Sequence, residues 1–210
     1  MAFILVSRRT GAFLLLLIAA ACASRRILVP PRLDLAPYGS VGLVTFTVEN
    51  ARGSLQDFVT RRFGEEVLRS RTGIELQELG PADAVLQQVG ETRLGPAAAR
   101  ALGGERGVPA VFFGHLRVSD VKPSGGLIGL TLPHLEATVS AELVVELLST
   151  KTGGTLWRSS AAAREKVGEL ALIGGEPHFS ATDPNDAYGR LVDRLVNAVT
   201  YDLRPTWQKQ

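Results

Sequence analysis

Cysteine is nearly absent: the 210 residues contain one, Cys22. A lone cysteine excludes an intramolecular disulfide and any paired-thiolate zinc site. Histidine is scarce too, at three residues, His115, His134 and His178. None stands at a His-x-x-x-His spacing, and no carboxylate loop accompanies them, so no metal is expected. No cofactor is expected either. Gly125-Gly126-Leu127-Ile128-Gly129 lacks the lysine and the following helix of a phosphate loop. Excess charge is missing as well. The formal net charge is +2, and Arg8 and Arg9 are the only charged residues before Cys22. The rest of the chain therefore balances its 21 acidic residues with as many basic ones. A neutral chain lacks the basic face that phosphate demands, so no nucleic-acid partner is expected.

No apolar run is long enough to cross a bilayer as a helix, which takes about 20 residues. The run from Ala12 to Ala21 has ten, follows the positive end Met1 to Arg9, and closes on three alanines. That is the layout of a secretory signal peptide. Ala19-Ala20-Ala21-Cys22 resembles the bacterial lipobox, with Ala19 where an aliphatic residue is usual. Cys22 is the expected lipidation site, carrying palmitate-type acyl chains. Ordinary cleavage at an Ala-x-Ala site (Ala19 to Ala21, or Ala21 to Ala23) and a retained anchor are the alternatives. Ser7-Arg8-Arg9 also resembles the start of a twin-arginine signal, although the residues after it fit poorly. Ala23, a non-acidic residue after the cysteine, points to the outer membrane, facing the periplasm. Arg25, Arg26 and Arg32 follow closely and suit either a solvated linker or anionic headgroups.

The expected organisation is a signal peptide over residues 1–21, a lipidated tether over 22–38, an α/β domain over 39–204 and a tail over 205–210. Pro30, Pro31 and Pro37 mark the tether as extended. Residues 39–48 read as a strand. Ser54 reads as the cap of a helix whose apolar stripe is Leu55, Phe58, Val59, Phe63, Val67 and Leu68. Ile74 to Leu79 reads as a strand, and Pro81 to Gly90 and Pro96 to Leu102 as short helices ended by glycines. Pro109 to Val121 is a strand. Lys122 to Pro133 is Gly-rich and apolar and reads as a loop. From Glu136 to Ser149, apolar and polar residues alternate strictly, as in a strand with one face in the core. Thr152-Gly153-Gly154 turns the chain into a hairpin partner over Thr155 to Val167. Asp183-Pro184-Asn185-Asp186 opens a last helix with the stripe Tyr188, Leu191, Val192, Leu195, Val196, Val199 and Leu203. The fold class is α/β: a single mixed sheet with helices packed on it, and a C-terminal hairpin followed by an amphipathic helix.

Three stretches resemble a superfamily of periplasmic lipoproteins that includes the curli secretion channel and the lipoprotein activators of penicillin-binding proteins. They are Ser40 to Val48, Ala101 to Val118 with its Gly-Val-Pro-Ala-Val-Phe-Phe-Gly-His-Leu phrase, and Leu143 to Ser159 with Thr152-Gly153-Gly154-Thr155-Leu156-Trp157. The resemblance implies one of two roles: a lipoprotein domain that docks on an envelope enzyme, or a ring-forming channel subunit. A channel needs paired crossings of about 9–11 residues per strand. Lys122 to Leu135 is the one candidate insertion, and it supplies no convincing pair.

Catalytic residues are not expected. His115 and Asp120 lie at opposite parity on one strand, and His134 has no acid nearby. His178, Ser180 and Asp183 cluster in sequence, but Asp183 has the role of helix cap and no Gly-x-Ser-x-Gly elbow exists. The expectation is a non-enzymatic binding or assembly module of the bacterial cell envelope, held to the membrane by its lipid anchor. Its partner is an unidentified envelope protein, touched by the apolar residues Leu127, Ile128, Leu130 and Leu132. The alternative is a homo-oligomeric outer-membrane export channel subunit.

Overall fold

The computed structural model describes residues 26–50, 54–70, 73–119, 122–128, 132–173, 176–181 and 183–209. Cys22, Asp120 and Leu130 lie outside them.

Two units are distinct. The first is a small antiparallel ribbon of β1 (Arg26–Val29) and β10 (Thr206–Lys209). The segments read as tether, 22–38, and as tail, 205–210, each contribute one of its strands. Arg26-Ile27-Leu28-Val29 is a short run of good strand formers, but its partner lies about 180 residues away, beyond any local signal.

The second unit spans Arg32–Arg204. Its strands are β2 (Ser40–Val44), β3 (Thr47–Glu49), β4 (Glu75–Gly80), β5 (Ala110–Val118), β6 (Lys122–Ile128), β7 (Leu132–Ser149), β8 (Thr155–Ile173) and β9 (Glu176–Ala181). They form one mixed sheet in the order β4-β2-β5-β7-β8-β9; β3 adds to β5 beside β2, and β6 adds to β7 beyond β5. Pairings of β2 with β4 and β5 are parallel, and those of β5, β7, β8 and β9 are antiparallel. The α/β class with a mixed sheet is as expected.

Helices α1 (Leu55–Arg69) and α4 (Pro184–Val199) cover one face. Phe46, Phe63, Phe112, Leu143, Leu147, Leu191 and Leu195 form the centre of this core, each at most 1% exposed. Phe63 lies 5.1 Å, centroid to centroid, from both Phe46 and Phe112, and Phe112 meets Trp157 edge to face. On the other face, α2 (Ala82–Val89) and α3 (Pro96–Arg106) cover only one end, around Val111, Phe113 and Leu148.

Several local expectations are corrected. Residues 39–48 do not form one strand. The backbone breaks at Thr45–Phe46, where Phe46 N–H donates to the Thr60 hydroxyl at 2.9 Å and Thr45 N–H to the Gly80 carbonyl. Val41 to Val44 is buried on both faces, as befits a parallel strand between layers. Helix α1 begins at Leu55 as expected, but its buried face includes Thr60, Gly64 and Glu66, while Leu68 is 53% exposed. Glu66 tolerates burial because Arg69 and Arg204 bond its carboxylate. Helix α3 runs on through Gly103 and Gly104 to Arg106, and Gly107 caps it in the left-handed region. Gly103 faces Thr150 closely, so a small residue is required there for helix and strand to meet.

The largest correction concerns Lys122 to Pro133. It is not a loop: β6 and the start of β7 form an antiparallel hairpin, from Lys122 opposite Thr138 to Ile128 opposite Leu132. Strand β8 likewise continues past Val167 to pair with β9. Pro123, Gly125, Gly126 and Pro133 mask the strand pattern in the sequence. The register is supplied by the cross-strand backbone bonds of β7, not by local propensity.

Candidate functional site

Two surfaces of the second unit carry features beyond packing. The first is the open part of the sheet face opposite α1 and α4. Parallel pairing sets Thr47 opposite His115 and Glu49 opposite Arg117. Residues opposite one another share a face, so β3 and β5 place four polar side chains together. The Thr47 hydroxyl lies 2.9 Å from His115 Nδ1 and 3.3 Å from the Gly114 carbonyl oxygen. Glu49 Oε2 accepts from Arg117 Nε at 3.0 Å and lies 3.4 Å from His115 Nε2. Arg117 holds the Glu49 carboxyl below the usual glutamate range, first by its hydrogen bond and then by its charge, with a smaller contribution from His115.

Sequence reasoning weighed His115 against Asp120 and missed Thr47 and Glu49. They come from another strand 66 or more positions away, and only the parallel register brings them in. The cluster borders a cleft of about 490 Å³ whose wall includes Leu86, Leu94 and Phe113 and whose rim carries Arg93, Glu146 and Arg158. Glu146 and Arg158 bond to each other at 2.7 Å. Glu49 and Glu146 are thus both neutralised by arginine, which makes the cluster a surface charge network. A check is direct. The Glu49 carboxyl should titrate below an ordinary glutamate by NMR, and Arg117→Ala should move it back up. Because its folded pKa is depressed, any stability it contributes is present above the ordinary glutamate value and is lost as pH falls through the folded value.

The second surface is the far half of β7 and β8. Strands β6, β7, β8 and β9 lie side by side there as two antiparallel hairpins. Among the described residues, neither β6 nor β9 has a second neighbour, and β8 has none on its β9 side from Thr155 to Val167. Of the expected contact residues, Leu127 and Ile128 end β6 and Leu132 opens β7, so the structure gathers them at the bend of one hairpin. His134 stands in β7, and His178 and Ser180 in β9. Asp183 accepts the Ala187 N–H through its backbone carbonyl, consistent with its expected place at the start of α4. Among the described residues, no group of histidine, cysteine and carboxylate side chains is arranged to hold a metal ion, and no helix is long and apolar enough to cross a membrane.

No family model and no curated protein sequence matches the chain. Solved structures similar to it include the PelC dodecamer from Paraburkholderia phytofirmans, at 12% identity, with 86% of this chain and 97% of that one covered and a TM-score of 0.46. The LpoB C-terminal domain from Salmonella enterica is similar at 16% identity over 60% and 83%, with a TM-score of 0.35. A minor lipoprotein from Acinetobacter baumannii is similar at 10% identity over 80% and 93%, with a TM-score of 0.35. These are the bacterial neighbours that the sequence resemblance leads one to expect. At such TM-scores the likenesses carry no argument about what this chain does.

Proposed function

We propose that the chain is a membrane-anchored lipoprotein of the bacterial cell envelope, facing the periplasm, that works as a non-enzymatic binding or assembly module. The observation that carries this reading is the pair of hairpins whose outer strands, β6 and β9, have no second neighbour among the described residues. An unpaired edge presents a row of backbone donors and acceptors and is a ready template for another strand. Leu127 and Ile128 at the end of β6 and Leu132 at the start of β7, with Leu130 between them in the sequence, supply apolar residues for a protein partner. The sequence of the leader supports export, and Cys22 supports lipid anchorage in the outer membrane. The arginine-neutralised carboxylates beside His115 favour a surface network over catalysis.

A second reading is a channel subunit, in which β6 of one copy pairs with β9 of the next. The two hairpins favour it. The seven residues of β6 and six of β9 count against it, because a transmembrane strand takes about 9–11. Light scattering of the detergent-solubilised mature protein separates the two readings. A monomer or dimer is expected, and a ring-sized mass would replace the adaptor by the channel. Deleting residues 127–132 should abolish the protein's crosslink to its envelope partner, and an unchanged crosslink would refute the docking site.

A further inference from the structure

The β1–β10 ribbon leaves large apolar side chains in solvent. Leu28 is 53% exposed and Trp207 66%, and they are direct register partners, so they stand side by side on one face. Ile27 is 37% exposed as well. Two residue pairs along from Leu28 and Trp207, Arg26 is opposite Lys209. The two strands hold these two basic residues and no acidic one. A two-stranded ribbon that exposes leucine and tryptophan gains little by itself, since an isolated pair of strands is marginal in water. Tryptophan beside an aliphatic residue and basic residues is the composition that favours the boundary between lipid headgroups and acyl chains.

Position gives the second argument, and it rests on the lipidation reading above. Four residues after Cys22 the chain enters β1. Four residues reach at most about 14 Å when fully extended. An acyl chain on Cys22 therefore holds β1, and with it β10, at the headgroup layer. Arg25 adds a third basic residue within that span.

We propose that the terminal ribbon is a membrane-contact surface, in which Leu28 and Trp207 enter the interface of an anionic bilayer and Arg26 and Lys209 meet its headgroups. The acyl chains on Cys22 carry the anchoring, and the ribbon adds a second membrane contact beside them. Strand β10 thereby takes part in anchoring, a role that the leader alone does not suggest.

The test uses the mature chain, residues 22–210, carrying Cys22→Ser, so that binding is read without acyl chains and every described residue is retained. The probe is vesicles of phosphatidylcholine with and without phosphatidylglycerol, some containing brominated acyl chains. Binding is expected only with phosphatidylglycerol, with brominated lipid quenching emission in the parent and not in Trp207→Phe. Arg26→Glu with Lys209→Glu should weaken binding by about tenfold or more, each charge near an anionic surface contributing about fivefold. Trp207→Ala should weaken it by about tenfold with an unchanged far-ultraviolet spectrum, since the side chain packs in no core. Absence of vesicle binding, or binding indifferent to these substitutions, overturns the proposal. So does a soluble dimer that Trp207→Ala dissolves, because the ribbon would then belong to a second copy. Failure of the lipidation reading appears separately, as an unmodified Cys22 in the protein taken from cells.

Discussion

Phe63→Ala is expected to lower the unfolding free energy by about 3–5 kcal/mol, read from the midpoint of urea denaturation. Phe63 is wholly buried, and its ring lies 5.1 Å from Phe46 on one side and from Phe112 on the other. Phe46 belongs to the break between β2 and β3, Phe63 to α1 and Phe112 to β5, and Phe112 continues to Trp157 on β8. The substitution therefore removes the contact by which one helix holds two separate parts of the sheet layer, with β8 joined to them through Phe112. Aromatic pairs of this kind contribute about 0.5–1.5 kcal/mol beyond the area they bury. The neighbours are fixed in the sheet and can collapse only partly into the space. A loss of under about 1 kcal/mol would mean that α1 is not seated on the sheet as described.

Gly114→Ala is expected to cost about 1–3 kcal/mol, although it adds a single methyl group. Gly114 lies on β5 at the point where the Phe46 ring crosses the strand, and a Cβ there would stand 2.5 Å from two ring carbons. Real carbon atoms do not approach so closely, so either the ring turns or β3 leaves β5. The second route would also separate Thr47 from His115 and Glu49 from Arg117. Phe46→Leu in the same chain should recover part of the loss, because the pair is in contact and its effects cannot add independently. Additive costs would place the Phe46 ring elsewhere.

Much of the body was legible because it follows local periods. The alternation from Glu136 to Ser149 marks the strand that pairs with both β5 and β8, and the stripe from Tyr188 to Val199 is the buried face of α4. The features that failed to show are those set by distant partners. The β6 hairpin is written in glycine and proline and takes its register from β7. The ribbon joins Arg26–Val29 to Thr206–Lys209, and neither segment announces the other. Helix α1 turns Glu66 inward because Arg204, far along the chain, bonds its carboxylate at 3.1 Å. In the candidate site, His115 was visible as a residue, but its neighbours Thr47 and Glu49 depend on a parallel register that no local pattern encodes. Leu127, Ile128 and Leu132 were singled out as part of an apolar run. What the sequence could not supply was their setting, at the end of β6 and the start of β7 in one hairpin.

The central claim is that this is an exported protein fixed to a membrane through Cys22. Its most direct test is the intact mass of the protein isolated from the membrane fraction of bacterial cells, compared with Cys22→Ala. The expected result is a chain that begins at Cys22 and carries the added mass of a diacylglyceryl group, with or without a third acyl chain. Cys22→Ala should then leave the membrane fraction or remain as the uncleaved precursor. An unmodified chain cleaved at another alanine, with the same distribution as its Cys22→Ala variant, would contradict the claim.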